Sequence, residues 1–368
     1  MEFQREELPL FGQGCGEIFR RVCLFNYGLL HKYWMMRQND GQEKRVPGFR
    51  FRFKRWIKNV VPLRNRGQTG DLDLNALRDR VNEYIGKGKE KLLEMEKAGL
   101  QAVPFNYYSP IPSVDEIEKG WETRTAHPFF EPEIYHEEEM RRFLERELMP
   151  YSKEFNPKKD GNEESPGFYW NNPAYGYSDA MSLYCFVRYL RPRRVLEVGG
   201  GFSTLIIDQA MKKNGQGEIW EVEPYPRPFL KKVGSISRFF EVPVQELPLD
   251  LFDQLEANDI LFIDSTHTVK ASSDCTFIYL KALGLLKQGV YIHSHDIFLP
   301  DSLPIRWNLD FQYYWTEHYL LQALLIGNKR FEVVYGSHYH SIYNRDLLAE
   351  FMDNKAGIGG GSFWYKRT

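Results

Sequence analysis

A chain of 368 residues, 27% charged and 42% hydrophobic, is long enough for one large domain or two ordinary ones and has a globular rather than a disordered or fibrous composition. Its formal net charge of -2 excludes a strongly basic or strongly acidic chain as a whole. The four cysteines (Cys15, Cys23, Cys185, Cys275) lie far apart with no CxxC spacing. That excludes a zinc ribbon, argues against a disulfide framework and points to a reduced, cytoplasmic setting.

The first residues, MEFQREELPL, show no cleavable signal pattern. The apolar stretch IFRRVCLFNYGLLHKYWMM is broken by Arg20, Arg21, His31 and Lys32, and is too short and too charged to cross a bilayer. Lys44 to Arg66 carries nine basic residues and no acidic one, alternating cation and aromatic in RFRFKRW. Such an arm suits phosphate, nucleic acid or an anionic surface, or simply stays solvated. From Leu72 to Ala98 apolar residues recur at helical intervals, with Asp71 as the expected N-cap and Gly86 and Gly88 as breaks. In the Pro-rich loop that follows, Phe105, Tyr107 and Tyr108 read either as a lid over the active site, together with Tyr107 to Pro112, or as core. A Glu- and Arg-rich helix is expected from Glu137 to Leu148. The polar tract NPKKDGNEESPG (Asn156 to Gly167) marks the expected boundary between an α-rich N-terminal extension, residues 1–166, and a second domain, residues 167–368.

After Gly167 short β-branched runs alternate with helical segments: RRVLEV, GEIWEVE, FFEVPV, DILFID and GVYIHSHD each precede a helix or turn. This predicts βαβ units and an α/β fold with a mostly parallel sheet. FEVVYG (Phe331 to Gly336) and SFWYKR (Ser362 to Arg367) read as an antiparallel pair at the sheet edge.

In VLEVGGGFST an apolar strand ends in an acid, then meets three glycines and a helix-opening Ser-Thr. Glycines let the backbone approach a ligand, Ser203 or Thr204 can cap the helix, and its free N–H groups suit a carboxylate or phosphate. Glu197, inside the strand end, can accept from a cationic amino group. Glu223 ends the next strand, where an acid takes both hydroxyls of a ribose. Neither GxGxxG nor GK[ST] is present, which weakens an NAD-dependent reading and excludes a phosphate loop.

These motifs, with NNPAYGYSDAMSLY, EVEPYP, NDILFIDSTHTVK, GVYIHSHDIFLP and WTEHYLLQALL, resemble the class I S-adenosylmethionine (SAM)-dependent methyltransferases over about residues 167–368. A weaker echo, FNYYSPIPSVDEIEKGW, reaches back to about residue 104. The resemblance implies a Rossmann-like seven-stranded sheet with an antiparallel last strand. It makes Glu197, Gly199, Gly201 and Glu223 contacts of SAM. Ser203, Glu246 (near the adenine) and Asp179 (from the helix before the first strand) join the cofactor-binding set.

Asp264 ends the fourth strand and is followed by His267; His293, His295 and Asp296 end the fifth. Neighbouring carboxyl ends of a parallel sheet face one crevice, so two carboxylates and three imidazoles converge there. In one mechanism Asp264 and Asp296 hold Mg²⁺, as in the catechol and caffeoyl-coenzyme A O-methyltransferases this region resembles. Ile297 stands where those enzymes have Asn, which leaves the third ligand open to His295 or water. In the other, His267 or His295 is a general base with a pKa near working pH, oriented by an Asp. Asp264, His267 and His295 are therefore the catalytic candidates. His293 reads as structural, and Glu317 and His318 as pocket or surface residues. The expected reaction is methyl transfer to an oxygen of a small molecule, a sugar or secondary metabolite. The rivals are RNA methylation tethered by the basic arm and a non-catalytic scaffold; a homo-oligomer is compatible with either.

Overall fold

A computed structural model describes residues 73–162 and 167–368; the basic arm, Asp71 and the four residues 163–166 lie outside this range. The described residues fall into two compact units, 73–112 and 113–368.

In the smaller unit the helical stretch forms two helices, α1 (Leu74–Asn82) and α2 (Lys89–Lys97), as the two glycines lead one to expect. The break falls at Gly86 and Gly88, whose φ values of 72° and 88° are open to glycine at little steric cost. Asp73 caps α1 by accepting from the Asn75 and Ala76 amides. Phe105, Tyr107 and Tyr108 are 83, 95 and 88% exposed, which excludes the core reading for them.

In the larger unit α3 (Val114–Lys119) opens with a Ser113–Glu116 capping box. The helix α4 (Glu137–Phe143) passes into a π turn, Leu144–Leu148. Leu144, Leu148 and Phe155 are fully buried in the same apolar cluster as α5 (Tyr177–Leu190) and α6 (Phe202–Asn214). Phe168, just after the polar tract, joins the same cluster as Leu144, Leu148 and Phe155 before it.

The sheet comprises β1 (Arg194–Val198), β2 (Glu218–Val222), β3 (Ile236–Phe240), β4 (Ile260–Ile263), β5 (Tyr291–Ser294), β6 (Phe331–Gly336) and β7 (Phe363–Arg367). Their order is β3-β2-β1-β4-β5-β7-β6, parallel except for β7, which runs against both its neighbours. This is the expected α/β Rossmann-like sheet. The outer member of the last pair is β6, and β7 is inserted between β5 and β6. The third strand lies earlier than FFEVPV; Pro243 has no N–H to give to a ladder, and the run stops at Phe240. All four residues of β4 and of β5 are buried, as strands covered on both faces must be. Buried Asp259 accepts the amides of Arg193, Arg194 and Glu256, tying the start of β1 to that of β4. The chain order reverses between these two strands, which opens a crevice at their carboxyl ends.

Candidate functional site

The turn after β1 requires glycine at Gly199 and leaves no room for a side chain at Gly200 while Glu221 holds its place. Gly199 has φ 91°, and a Cβ there would overlap the Asp264 carbonyl at the end of β4. A Cβ on Gly200 would overlap the Glu221 carboxylate. The turn therefore lies directly on its neighbours, and α6 starts immediately after it. Thr204 Oγ1 accepts the Gly201 amide at 3.0 Å, while Ser203 Oγ donates to Glu197 Oε1 at 2.6 Å.

Glu197 and Glu221 are register partners on β1 and β2, and both are fully buried. Burial pushes Glu197 up to about 7 and Glu221 well above the carboxylate range; the charge of Glu197 adds to the effect on Glu221. One oxygen of each, Glu197 Oε2 and Glu221 Oε1, has no hydrogen-bond partner. Glu223 follows β2, half-buried, with its pKa raised by burial and its carboxylate accepting the Tyr225 amide at 2.7 Å. Glu246 is exposed on a short 3₁₀ turn after β3. Asp179 is buried on α5 and accepts the amides of Gly361 (2.9 Å) and Ser362 (2.8 Å) at the entry to β7. Its carboxylate also faces His295 Nε2 at 3.3 Å.

The second cluster forms at the ends of β4 and β5. Buried His267 points Nε2 at Asp264 (3.3 Å) and Asp296 (3.6 Å), while Nδ1 meets Glu317 Oε2 at 2.9 Å. His267 and Asp296 both have positive φ, 57° and 54°, a conformation that non-glycine residues adopt uncommonly. Glu317 opens α7 (Glu317–Leu325), and its other oxygen accepts from Tyr279 Oη at 2.7 Å. One atom each of Asp264, His267 and Asp296 lie within 4.8 Å of one another, a set able to hold a metal ion. His295 instead stacks on Tyr175 at 4.7 Å, with Nδ1 3.6 Å from both Asp264 and Asp296.

The neutral-range pKa expected of a histidine base is not found at either position. Burial opposes the charge on His267, but hydrogen bonds to Asp264 and Glu317 outweigh it and push the imidazole up to about 10. For His295 burial is likewise outweighed, by Asp296 and Asp264, and its pKa is raised well above the usual value. Burial works to raise Asp264, yet the neighbouring imidazoles hold it well below the carboxylate range. Every nitrogen of both rings lies within 3.6 Å of a carboxylate.

His293 sits inside the sheet, stacked on Phe262 at 4.2 Å, with Nε2 on Ser362 Oγ at 2.8 Å and its pKa depressed by burial. His318 is buried against Phe129, and desolvation lowers it to about 4. Neither joins the cluster. Two contributors were not read from the sequence. Glu221 carried a signal, as an acid inside the otherwise apolar run EIWEV. Trp315 opens the WTEHYLLQALL motif, but no spacing in the chain places it here: its half-buried ring lies 4.4 Å from that of His267, with Tyr313 stacked on it at 4.7 Å and Trp307 edge-on at 5.3 Å.

A family described as "Methyltransferase domain" matches residues 196–297, the stretch from β1 to just past β5. An uncharacterized protein of Archaeoglobus fulgidus is 32% identical over 167 residues, covering 43% of this chain and 75% of that protein. Among solved structures, the O-methyltransferase from Bacillus cereus in complex with SAH is similar at 17% identity, over 61% of this chain and 90% of that one, with a TM-score of 0.30. Cofactor-bound Rv0187 from MTB is similar at 18% identity, over 53% and 81%, with a TM-score of 0.32.

Proposed function

The chain belongs to the class I SAM-dependent methyltransferases, and we propose that it methylates a hydroxyl oxygen of a small molecule with the help of a divalent cation. The observation that carries this reading is the convergence of Asp264, His267 and Asp296 within 4.8 Å. Two carboxylates and one imidazole suit Mg²⁺ or Mn²⁺. The donor set also has the outer support that metal-ligating histidines require: His267 Nδ1 is fixed by Glu317, leaving Nε2 turned towards the two carboxylates. A cation held there would lower the pKa of an acceptor hydroxyl.

The chain's own residues do the rest. Glu197, Gly199, Gly201, Ser203 and Glu223 form the cofactor side of the crevice, with Glu197 accepting from the amino group and Glu223 from the ribose. The Gly199 turn packs on the Asp264 backbone, so cofactor loop and acceptor cluster share one rigid junction. That fixes the methyl donor relative to the acceptor oxygen, and alignment is what transfer from an already activated sulfonium mainly needs. The stacked rings of Trp315 and Tyr313, with Trp307 edge-on to them, form an aromatic cluster next to His267, which favours a sugar or secondary metabolite carrying its hydroxyl on a ring. His295 and Asp179 act by holding Asp264 and Asp296 in place.

The test is methyl transfer from labelled SAM to a panel of hydroxylated sugars and phenols, with Mg²⁺ and with EDTA. A methyl ether product that disappears with EDTA supports the reading. Product only on nitrogen or RNA, or full activity in the Asp264→Ala/His267→Ala double variant, overturns it. The double variant should retain S-adenosylhomocysteine (SAH) binding.

A further inference from the structure

Glu221 has no place in the chemistry above, yet it lies at the heart of the cofactor turn. It is fully buried, directly opposite Glu197, and its carboxylate fills the space a Cβ on Gly200 would occupy. The donors that reach the two acids are few: Ser203 Oγ to Glu197 at 2.6 Å, and Thr204 Oγ1 to Glu221 at 3.4 Å. The Thr204 hydroxyl is divided, since it also accepts the Gly201 amide. Glu197 Oε2 and Glu221 Oε1 are left without partners. The other charges acting on the pair are Asp264 at the end of β4 and Glu223 after β2; both are acids and both oppose ionisation. Two buried, adjacent carboxylates in this setting cannot both be charged without a cation.

We propose that Glu221 is a positioning residue for cofactor binding: it shares a proton with Glu197, and the cofactor's amino group displaces that proton when it docks. This rests on the reading of Glu197 as the acceptor of that amino group. An O–H bond of the acid pair breaks, the proton passes to the buffer, and an N–H from the ammonium takes over the freed carboxylate oxygen. Glu221 thereby makes cofactor affinity depend on pH, and the pair titrates as a unit rather than as two separate residues. The raised pKa values of both acids agree with this.

The experiment is calorimetric titration of the full chain with SAH between about pH 6 and about pH 8.5, in phosphate and in Tris, whose ionisation enthalpies differ. The difference between buffers counts protons. The wild type should release about one proton per SAH at the acid end, and affinity should rise by up to about tenfold per pH unit before levelling off. In Glu221→Gln the amide donates to Glu197 and favours its charged form, so the release and the slope should both shrink. An unchanged slope in Glu221→Gln overturns the proposal. So does a wild type that releases no proton at the acid end, and this holds even where the variant fails to fold. Glu197→Gln separates the two layers: if it binds SAH as tightly as the wild type, the role of Glu197 itself is wrong; if it binds weakly while the wild type releases no proton, only the sharing fails.

Discussion

At Gly199 two constraints coincide, a φ of 91° and a backbone carbonyl where a side chain would begin. Gly199→Ala should therefore cost about 1–3 kcal/mol in urea unfolding and should weaken SAH binding, because relieving the overlap means moving the turn off Asp264. Gly201, with no neighbour within 4 Å of a Cβ, should tolerate alanine better for folding. Glu317 acts through the far nitrogen of His267. Glu317→Gln should lower turnover by about 10- to 100-fold, with most of the loss recovered at high Mg²⁺ and SAH affinity unchanged. Recovery by the metal separates the orienting role from general damage to the fold.

On the scale of elements, the strand insertion that completes the sheet depends on one carboxylate. Asp179, near the start of α5, holds the Gly361 and Ser362 amides at the point where β7 slots between β5 and β6. Its replacement by alanine leaves two buried donors unpaired, at about 1–3 kcal/mol each, and removes a counter-charge from His295. Asp179→Ala should show a lowered melting temperature and early hydrogen exchange along β7; protection of β7 equal to the wild type would refute this role. The alternation of apolar runs made the strands legible, yet the third was misplaced by three residues. An edge strand has only half of its residues covered, so its apolar pattern is weak, and FFEVPV is the more hydrophobic stretch even though Pro243 cannot pair. The helical stretch 72–98 was legible together with its break, since Gly86 and Gly88 declare where the backbone turns.

Across the whole molecule, stability should fall in mild acid for a reason distinct from the active site. His340 is fully buried, and desolvation lowers it to about 3. A histidine depressed in the folded state contributes stability that is complete above its unfolded value of about 6.5 and is lost as pH falls towards the folded value. Between pH 6.5 and pH 5 the wild type should lose about 2 kcal/mol from this group. A His340→Leu variant should show a correspondingly flatter stability profile in urea titrations at the two pH values; equal losses in both proteins would remove His340 as the cause.

The sequence alone determined the α/β class, the antiparallel last strand, the glycine turn and the pair of strand ends that carry the acids and imidazoles. All of these are local: a strand that ends in an acid, or a glycine run before a helix cap, is written in consecutive residues. Only the tertiary structure decided which side chains meet. It brought Glu317 to His267 from 50 residues downstream, with Tyr279 held on the other oxygen of Glu317, and it gathered His267 rather than His295 with Asp264 and Asp296 into the set able to hold a metal ion. It also set Glu221 against Glu197, because the parallel register of β1 and β2 aligns residues 24 positions apart. The pKa values moved for the same reason: burial and neighbouring charge are properties of the assembled crevice, and no spacing in the chain encodes them.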